Sequence, residues 1–253
     1  HMSDLIKIHS ALAEAMSARS YDTMTPVQEA VLGIEQPDAD LLVSAQTGSG
    51  KTLAFGLSIA TTLLQEDTEF SRPKLPVALI IAPTRELALQ VRKELEWVYA
   101  RTKAQFASCV GGMDPRAERR TLESGAHIVV GTPGRLRDHI ERGALRLSDI
   151  KAVVLDEADE MLDMGFREDL TFILEKAPVS RRTLLFSATV PAQIAKMART
   201  YQKETIRISV SSKTTQHLDI SYHAIKIQPS DRDKSIINLL RYHDVSGAIV
   251  FCN

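Results

Sequence analysis

The sequence Leu41-Leu42-Val43-Ser44-Ala45-Gln46-Thr47-Gly48-Ser49-Gly50-Lys51-Thr52 joins a short apolar run to a glycine-rich segment that ends in Gly-Lys-Thr. An apolar stretch of helical character follows from Leu53. The glycines let the backbone curl until several N–H groups point at one anion, and the start of the helix adds partial positive charge. A buried strand, a glycine-rich turn and a helix in this order predict a phosphate-binding loop, with Ala45 in place of the usual first glycine.

Within this segment we expect Lys51 to reach the β- and γ-phosphates of a nucleotide and Thr52 to present its hydroxyl to Mg²⁺. The predicted nucleotide-binding residues of the loop are Gln46, Thr47, Gly48, Ser49, Gly50, Lys51 and Thr52. The alternative is a glycine-rich turn that caps an ordinary helix. The position of Gly-Lys-Thr between a buried strand and a helix favours the nucleotide interpretation.

Further short apolar runs predict the rest of a sheet, at 77–82, 128–130, 152–155 and 184–186. Their apolar residues are consecutive rather than alternating, which is typical of strands buried on both faces of a parallel sheet. Stretches of helical period lie between them; one places Leu87, Val91, Leu95 and Val98 on one face. We therefore predict an α/β fold, mostly a parallel sheet with helices on both faces, whose ligands bind at the carboxyl ends of the strands.

A pair of acids, Asp156 and Glu157, follows the predicted strand at 152–155. On their own, two acids would indicate only a favourable start to a helix. A phosphate-binding loop requires a carboxylate on the metal side, so we expect Asp156 to hold Mg²⁺, largely through water, and Glu157 to polarise the attacking water. The predicted catalytic residues are thus Lys51, Asp156 and Glu157, with a nucleotide and Mg²⁺ as the bound species.

Asp156-Glu157-Ala158-Asp159 resembles the motif that gives the DEAD-box ATP-dependent RNA helicases their name. Other strings agree with that family in the same order. The segment 21–28 resembles its adenine-reading Q motif, and Ser187-Ala188-Thr189 resembles the motif that couples hydrolysis to strand separation. Three segments resemble its RNA-contacting motifs: 83–88, 111–112 and 132–135. The resemblance covers nearly the whole chain and implies a RecA-like P-loop NTPase fold, with ATP as the bound nucleotide.

The resemblance also implies roles for individual residues. Tyr21 and Gln28 are expected on the adenine side, where the amide of Gln28 could pair with the N6 and N7 edge of the base. RNA is expected to bind through its sugar-phosphate backbone, which carries no base sequence. The implied RNA-binding residues are Pro83, Thr84, Arg85, Gly111, Gly112, Thr132, Pro133, Gly134 and Arg135.

Ser187 and Thr189 are expected to hydrogen-bond Asp159 as coupling residues, with a local helix cap before Pro191 as the alternative. Two positions depart from the family pattern. Ser3 aligns where an aromatic residue usually stacks on adenine, and Ser20 stands where the family usually has glycine before the aromatic of the Q motif.

The composition sets further limits. The chain has 253 residues, 44% of them hydrophobic, and a formal net charge of −1, so any contact with nucleic acid must be a local surface. No apolar stretch approaches the roughly 20 residues that span a bilayer, so no membrane contact is expected. Cys109 and Cys252 show no metal-ligand spacing, which is typical of buried free thiols in a reducing, cytoplasmic compartment.

The predicted organisation is an ATP-binding helicase domain with the Q motif at 1–208, a polar linker at 209–218 and the truncated start of a second RecA-like domain at 219–253. In the last segment, alternation at 220–227 and the apolar run 248–252 predict strands, and 231–242 predicts a helix. We expect the chain to be a piece of a longer protein.

The expected function is that of an RNA-stimulated ATPase and ATP-dependent RNA helicase that unwinds duplexes locally. The chain alone is expected to bind nucleotide and to hydrolyse it slowly, because an arginine finger from the second domain contributes about 10³–10⁵ in rate. The alternatives are a DNA-directed helicase or translocase, an ATP-gated RNA clamp and, more distantly, a small-molecule kinase. Glu157 favours hydrolysis over a pure clamp. The sequence names no RNA target and no protein partner.

Overall fold

The computed structural model describes residues 6–210, 223, 225–244 and 247–251. Contacts divide the chain into two units, His1–Ser212 and Lys213–Asn253. Ser3, most of the predicted linker and Cys252 lie outside the described residues. The predicted domain boundaries at 208 and 218 stay predictions.

The first unit is built on a seven-stranded sheet with strand order β3-β4-β2-β5-β6-β1-β7 and parallel pairing between neighbours. The strands are β1 (Leu41–Ser44), β2 (Ala78–Ile81), β3 (Phe106–Cys109), β4 (Ile128–Gly131), β5 (Ala152–Leu155), β6 (Arg182–Ser187) and β7 (Ile206–Ser209). All the strands predicted from apolar runs in this unit are confirmed. The edge strands β3 and β7 were not among them.

The helices of the first unit are α1 (Ser10–Ala18), α2 (Pro26–Leu32), α3 (Lys51–Leu64), α4 (Arg85–Val98), α5 (Pro115–Ser124), α6 (Pro133–Glu141), α7 (Ala158–Asp163), α8 (Arg167–Lys176) and α9 (Ala192–Tyr201). They pack as two layers. One hydrophobic core joins α1–α4 to the sheet and the other joins α5–α9 to its opposite face. Val154 belongs to the first core and its neighbour Val153 to the second, because successive side chains of a strand point to opposite faces.

These two layers explain the consecutive apolar runs. The central strands β2, β4 and β5 are buried at every position, since helices cover both of their faces. The predicted α/β fold, mostly a parallel sheet with helices on both faces, is confirmed.

In the second unit the structure describes a 3-10 turn at Pro229–Asp231 and α10 (Arg232–Tyr242), so the helix predicted at 231–242 is confirmed. The strand predicted at 248–252 is wrong over its described residues, 248–251, and residues 225–227 of the strand predicted at 220–227 are likewise not in a strand. A strand needs a neighbour to satisfy its backbone groups, and the described part of this unit supplies none. Residues 220–222, 224 and 252 lie outside the described residues.

Across the described ranges, no helix combines the length and the apolar character needed to cross a lipid bilayer.

Candidate functional site

The expected functional residues lie along one edge of the sheet, meaning the edge formed by the carboxyl ends of all its parallel strands and not an outer strand. The order of the strands separates them into two groups. The carboxyl ends of β5, β6 and β1 carry the acids Asp156 and Glu157, the segment 187–189 and the glycine-rich loop. The loops after β3, β4 and β2 carry the segments that resemble RNA-contacting motifs, namely 111–112, 132–135 and 83–88.

The glycine-rich loop after β1 has a backbone that only glycine adopts freely. Gly48 and Gly50 both have positive φ, 79° and 84°. Gly50 is also the N-cap of α3, and a Cβ atom there would lie 2.6 Å from Nε2 of Gln28. Conformation and close packing therefore both require glycine at position 50. Lys51 follows as the first residue of α3.

Lys51, Asp156 and Glu157 form one charged cluster. Nζ of Lys51 lies 2.9 Å from Oδ1 of Asp156 and 3.3 Å from Oε1 of Glu157. The hydroxyl of Thr47 in the glycine-rich loop donates to the same Glu157 oxygen at 3.2 Å. Asp156 is fully buried, and burial raises the pKa of its carboxyl while the charge of Lys51 opposes that shift. The cluster joins the end of β5 to the loop after β1.

An unusual backbone conformation at Glu157 keeps its carboxylate at the cluster. Its φ of 52° and ψ of 51° place it in the left-handed region, which is strained for a residue with a side chain. Burial acts to raise the pKa of Glu157, but hydrogen bonding with Glu160 and the charge of Lys51 outweigh it and lower the pKa. The hydrogen bond with Glu157 raises the pKa of Glu160 to about 6. Glu157 is therefore the more strongly ionised of the two acids.

The surroundings of Asp156 fit a divalent cation. Among the described residues, Oδ2 of Asp156 has no hydrogen-bond partner, although it is fully buried. A buried carboxylate oxygen normally has a hydrogen-bond donor or a metal ion beside it. Thr52 is nearly buried in the first turn of α3 and offers a hydroxyl, so the two side chains have the oxygen chemistry that Mg²⁺ prefers.

Glu94 of α4 also belongs to this neighbourhood, and the sequence did not point to it. Burial raises the pKa of Glu94; a hydrogen bond with Thr52 acts in the opposite direction, and the negative charge of Asp156 adds to the rise. Glu94 lies within a regular amphipathic helix, where a partly buried acid gives no signal in the sequence.

Gln28 is fully buried and ties α2 to the glycine-rich loop. Its Nε2 donates to the carbonyl of Gly50 at 3.0 Å and to the hydroxyl of Tyr21 at 3.0 Å, while its Oε1 accepts from the backbone N–H of Thr25 at 3.0 Å. The amide is thus bonded within the protein in this structure, and pairing with adenine stays a prediction. Ser20, which precedes Tyr21, has a φ of 53°, the left-handed region that glycine adopts without strain.

Asp159, Ser187 and Thr189 meet between α7 and the loop after β6. Oδ2 of Asp159 accepts from the hydroxyl of Thr189 at 2.9 Å and from its backbone N–H at 3.0 Å. The backbone N–H of Asp159 donates to Oγ of Ser187 at 3.3 Å. At the start of α9, Pro191 takes the N-cap position and no side chain caps the helix, so the local-cap alternative is not what the structure shows.

On the other half of the edge, Arg85 reaches across to the loop after β3. Its Nη2 donates to Sδ of Met113 at 3.3 Å, and its Nη1 lies 2.9 Å from where a Cβ of Gly112 would be. Gly112 has a φ of 79°, a conformation that favours glycine, and the guanidinium of Arg85 rests against it. Within the described residues, no carboxylate pairs with Arg85, and this leaves its charge open to solvent.

The remaining residues of this half differ in exposure. Gly134 and the loop at 111–112 are exposed, and Thr132 is half-buried with no side-chain cap bond to α6. Pro83 and Pro133 are buried, so they shape their loops and do not face solvent. Thr84 caps α4 by accepting from the backbone N–H of Leu87 at 3.2 Å.

A family model described as DEAD/DEAH box helicase matches residues 25–197. The chain belongs to the DEAD/DEAH box helicase family. The matched range includes the glycine-rich loop, the cluster of Lys51, Asp156 and Glu157, and the contact between Asp159 and Thr189.

Curated relatives of this DEAD/DEAH box helicase domain carry consistent names. The DEAD-box ATP-dependent RNA helicase CshA of Bacillus licheniformis is 37% identical over 245 residues, which cover 97% of this chain and 49% of the relative. The protein of that name from Streptococcus pneumoniae is 41% identical over 230 residues, 90% of this chain and 42% of the relative. The chain thus spans about half the length of the curated relatives it matches.

A solved structure supports the fold. The crystal structure of a DEAD box protein from the hyperthermophile Methanococcus jannaschii matches with a TM-score of 0.73 and 31% identity, over 94% of this chain and 62% of that one. The predicted RecA-like fold is confirmed by this likeness and by the parallel sheet described above.

Nothing in the sequence pointed to one buried polar cluster of this DEAD/DEAH box helicase domain. Ligand atoms of Cys109, Glu118 and His139 lie within 4.8 Å of one another, as in a metal site. However, Oε1 of Glu118 already accepts from Nη1 of Arg135 at 2.8 Å and lies 2.9 Å from Nε2 of His139. A cationic guanidinium inside the cluster opposes a second cation. The cluster is therefore a hydrogen-bonding network, and burial raises the pKa of the Cys109 thiol.

A cavity of about 1130 Å³ lies at the opposite edge of the sheet, near the starts of β1 and β6. Its buried Arg182 donates to the carbonyls of Ala39 at 2.8 Å and Ser58 at 2.9 Å. Those donors are already used within the fold, and the residues that the sequence predicts to be functional lie at the carboxyl ends of the strands, where ligands bind in such sheets; the candidate site is therefore placed there.

Proposed function

We propose that this chain is the nucleotide-binding part of an ATP-dependent RNA helicase, in which ATP hydrolysis drives local unwinding of an RNA duplex. The observation that carries the proposal is the cluster of Lys51, Asp156 and Glu157 at the glycine-rich loop. It supports ATP hydrolysis because it brings an ammonium suited to phosphate, a fully buried acid and a half-buried acid to one point.

On this proposal the triphosphate of ATP lies along the glycine-rich loop. Backbone N–H groups of the loop and the start of α3 face its negative charge, and Lys51 moves from the carboxylates to the β- and γ-phosphates. Glu157, held at the end of β5 by its left-handed backbone, orients and polarises the attacking water. Tyr21 and Gln28 would form the adenine side, supported by the direct bond of Gln28 to the loop carbonyl of Gly50.

Asp156 and Thr52 would hold Mg²⁺, supported by the buried oxygen of Asp156 that has no partner within the described residues. When bound, the ion neutralises charge on the phosphates. The protein's own contribution is to hold both oxygen groups in fixed positions, one at the end of β5 and one in the first turn of α3.

RNA is proposed to bind along the half of the sheet edge formed by the loops after β3, β4 and β2. The exposed glycine-rich turns at 111–112 and at Gly134, with the hydroxyl of Thr132 and the guanidinium of Arg85, supply donors suited to phosphate oxygens. Contacts of this kind read the backbone, so little sequence specificity is expected.

Asp159 is proposed to couple ATP hydrolysis to the loop after β6. It follows Glu157 by two residues and is bonded to Thr189 in the loop after β6. A movement of Glu157 and Asp159 during the hydrolytic cycle would therefore be transmitted directly to Ser187 and Thr189. A cytoplasmic location is proposed as well, on the ground that the buried thiol of Cys109 suits a reducing compartment.

The decisive experiment measures the ATPase rate of the full-length protein with single-stranded RNA, with DNA of the same sequence and without nucleic acid. Stimulation by RNA alone supports the proposal. Equal stimulation by DNA would favour a DNA-directed translocase, and tight ATP-dependent RNA binding without turnover would favour a clamp. Arg85→Ala should raise the RNA concentration for half-stimulation by about tenfold, whereas Arg119→Ala, an exposed arginine of α5, should not.

A further inference from the structure

Glu118 occupies an unusual position for an acid, on the buried side of α5 directly beneath the loop at 110–114. Its exposed fraction is 7%, although most other residues of α5 are exposed. A buried carboxylate is costly unless several donors surround it. The donors around Glu118 come from separate parts of the chain, and together they define its role.

The first donor is the backbone of the loop after β3. Oε2 of Glu118 accepts from the N–H of Val110 at 2.8 Å, and Val110 directly precedes Gly111 and Gly112. The bond fixes the point at which the chain leaves β3. The exposed glycines that follow therefore start from a fixed position.

The second and third donors come from α6. Oε1 of Glu118 accepts from Nη1 of Arg135 at 2.8 Å and lies at hydrogen-bonding distance, 2.9 Å, from Nε2 of His139. His139 is one helical turn beyond Arg135 and is 2% exposed. The imidazole thus holds the carboxylate from below while Arg135 reaches it from the solvent side.

Arg135 extends the network back to the loop. Its Nη1 also donates to the carbonyl of Met113 at 3.2 Å, and the side chain of Met113 receives Nη2 of Arg85 at 3.3 Å. One buried carboxylate therefore connects the loop at 110–113, the first turns of α6 and, through Met113, the guanidinium of Arg85. These are the loops proposed above to bind RNA.

The charge on Glu118 is maintained by the same contacts. Burial acts to raise the pKa of Glu118, but the bonds with His139, with the N–H of Val110 and with Arg135 outweigh it and hold the pKa below its usual range. The carboxylate is consequently ionised at neutral pH and accepts from all its donors.

We infer that Glu118 is a positioning residue of the RNA surface: it does not touch RNA, but holds the loop at 110–113 and Arg135 in the arrangement that binds the RNA backbone, with His139 as its support. The inference rests on the proposed function. The inference goes beyond that function by assigning a role to a buried residue beneath these loops that no sequence motif marks.

The test compares Glu118→Gln with Glu123→Gln in the full-length protein. Glu123 is an exposed acid of the same helix, bonded only to Arg119 among the described residues. Dissociation constants are measured for a fluorescent single-stranded RNA in the presence of a non-hydrolysable ATP analogue, and separately for a fluorescent nucleotide. Glu118→Gln should weaken RNA binding by about tenfold, with nucleotide affinity changed by less than about twofold, and Glu123→Gln should change neither.

A second pair of variants keeps the inference falsifiable if Glu118→Gln does not fold. His139→Gln retains a donor for Glu118 and should bind RNA within about twofold of the parent protein, while His139→Leu removes the donor and should weaken RNA binding several-fold. A third arm repeats Glu118→Gln in an Arg135→Ala background. Because both residues hold the same arrangement, Glu118→Gln should weaken RNA binding clearly less in that background than it does in the parent protein.

The outcomes separate the two proposals. If the parent protein fails to bind RNA, the proposed function is wrong. If the parent binds RNA and Glu118→Gln binds it equally well, or if His139→Leu and His139→Gln behave alike, the positioning role is wrong. Parallel loss of RNA and nucleotide affinity would show a general structural defect and would also overturn the inference.

Discussion

At the scale of single residues, Glu157 combines three features that suit its proposed role of polarising the attacking water. It sits in a left-handed conformation, it shares Lys51 with the buried Asp156, and its pKa lies below the usual range. Backbone strain of this kind costs about 1–3 kcal/mol and persists where the surrounding structure holds the residue in place. The arrangement keeps an ionised carboxylate beside the phosphate-binding loop.

Glu157→Gln should therefore lower the ATP turnover of the full-length protein by about 10²–10⁴-fold while leaving the dissociation constant for ATP within about fivefold. The amide keeps the shape and the bond from Thr47 but cannot polarise water. Steady-state hydrolysis and equilibrium nucleotide binding measure the two effects. Asp163→Asn, at the exposed end of α7, is the control. A loss of nucleotide binding in the Glu157 variant would contradict the assigned role.

A second residue-scale prediction concerns pH. Burial acts to raise the pKa of Asp159, but its bonds with Thr189 and Ser187 lower it below the unfolded value of about 3.9. This carboxylate therefore stabilises the folded protein above about pH 4, and its contribution is lost as the pH falls below that value through the lowered pKa of the folded state. Allowing for solvent screening, the contribution is about 0.5–1 kcal/mol.

Thr189→Val should accordingly reduce the free energy of unfolding at neutral pH by about 0.5–1 kcal/mol, and the difference from the parent should shrink at about pH 3.5. Urea unfolding at the two pH values gives both numbers. Thr200→Val, whose hydroxyl donates to a helical carbonyl, should show no such change with pH. An equal difference at both pH values would show that the threonine acts by packing alone.

The residues that the sequence identified share one property: they sit in short strings whose spacing reflects local geometry. Gly50, Lys51 and Thr52 are adjacent, as are Asp156 and Glu157, so the turn itself creates the pattern. Glu118, His139 and Glu94 were missed because their partners are distant in sequence and meet only in the fold. The bonding of Gln28 to Gly50 was also invisible, since a glutamine in a helix carries no information about its partner.

At the scale of secondary structure, the same reasoning explains which strands could be predicted. The central strands are covered by helices on both faces and are apolar at consecutive positions. The edge strand β3 alternates between half-buried and buried residues, β7 alternates between half-buried and exposed ones, and the two strands include Ser108 and Arg207. A search for continuous apolar runs cannot detect them, because a strand at the edge needs apolar residues on fewer of its positions.

The junction between the glycine-rich loop and α3 yields an element-scale prediction. Gly50→Ala places a Cβ atom 2.6 Å from Nε2 of Gln28 at a φ of 84°, so both α2 and the loop must shift. We expect a loss of about 2 kcal/mol or more in stability and a loss of nucleotide affinity of at least about tenfold.

Gly134→Ala is the matched control for this prediction, because a Cβ atom there would meet nothing within 4 Å and Gly134 lies in the first turn of α6. That substitution should leave nucleotide affinity unchanged and stabilise the helix by up to about 1 kcal/mol. Thermal unfolding and nucleotide titration of the two variants provide the comparison. Equal effects would mean that the loop at 48–50 adapts to a side chain.

At the scale of the whole molecule, the strand order places two chemistries on one sheet edge. The loops after β5, β6 and β1 surround Lys51, and those after β3, β4 and β2 surround Met113. Strand β5 is the member of the first group that borders the second, because it pairs with β6 on one side and with β2 on the other. The segment 156–159 at its end contacts Lys51 and Thr189, both in the first group, and the pairing of β5 with β2 is the direct link from there to the second group.

The two units differ in how much apolar side-chain surface they bury. Both hydrophobic cores of the described residues lie within His1–Ser212. In the second unit α10 buries no residue, and Ile237, Leu239 and Tyr242 are 48%, 39% and 85% exposed. A segment of about 40 residues seldom forms a stable core by itself. The stability of this chain is therefore expected to come from the first unit.

Removing residues 213–253 should consequently leave the Tm of the remaining chain within about 2 °C and its nucleotide affinity within about twofold. Scanning calorimetry and titration with a fluorescent nucleotide measure these quantities on residues 1–212 and on the 253-residue chain. Both should hydrolyse ATP at similarly low rates, because the relatives are about twice as long as this chain and an arginine finger supplied from elsewhere contributes about 10³–10⁵ in rate. A fall in Tm of more than about 5 °C would show that residues 213–253 stabilise the first unit. Fast hydrolysis by either chain would show that Lys51, Asp156 and Glu157 suffice without a second domain.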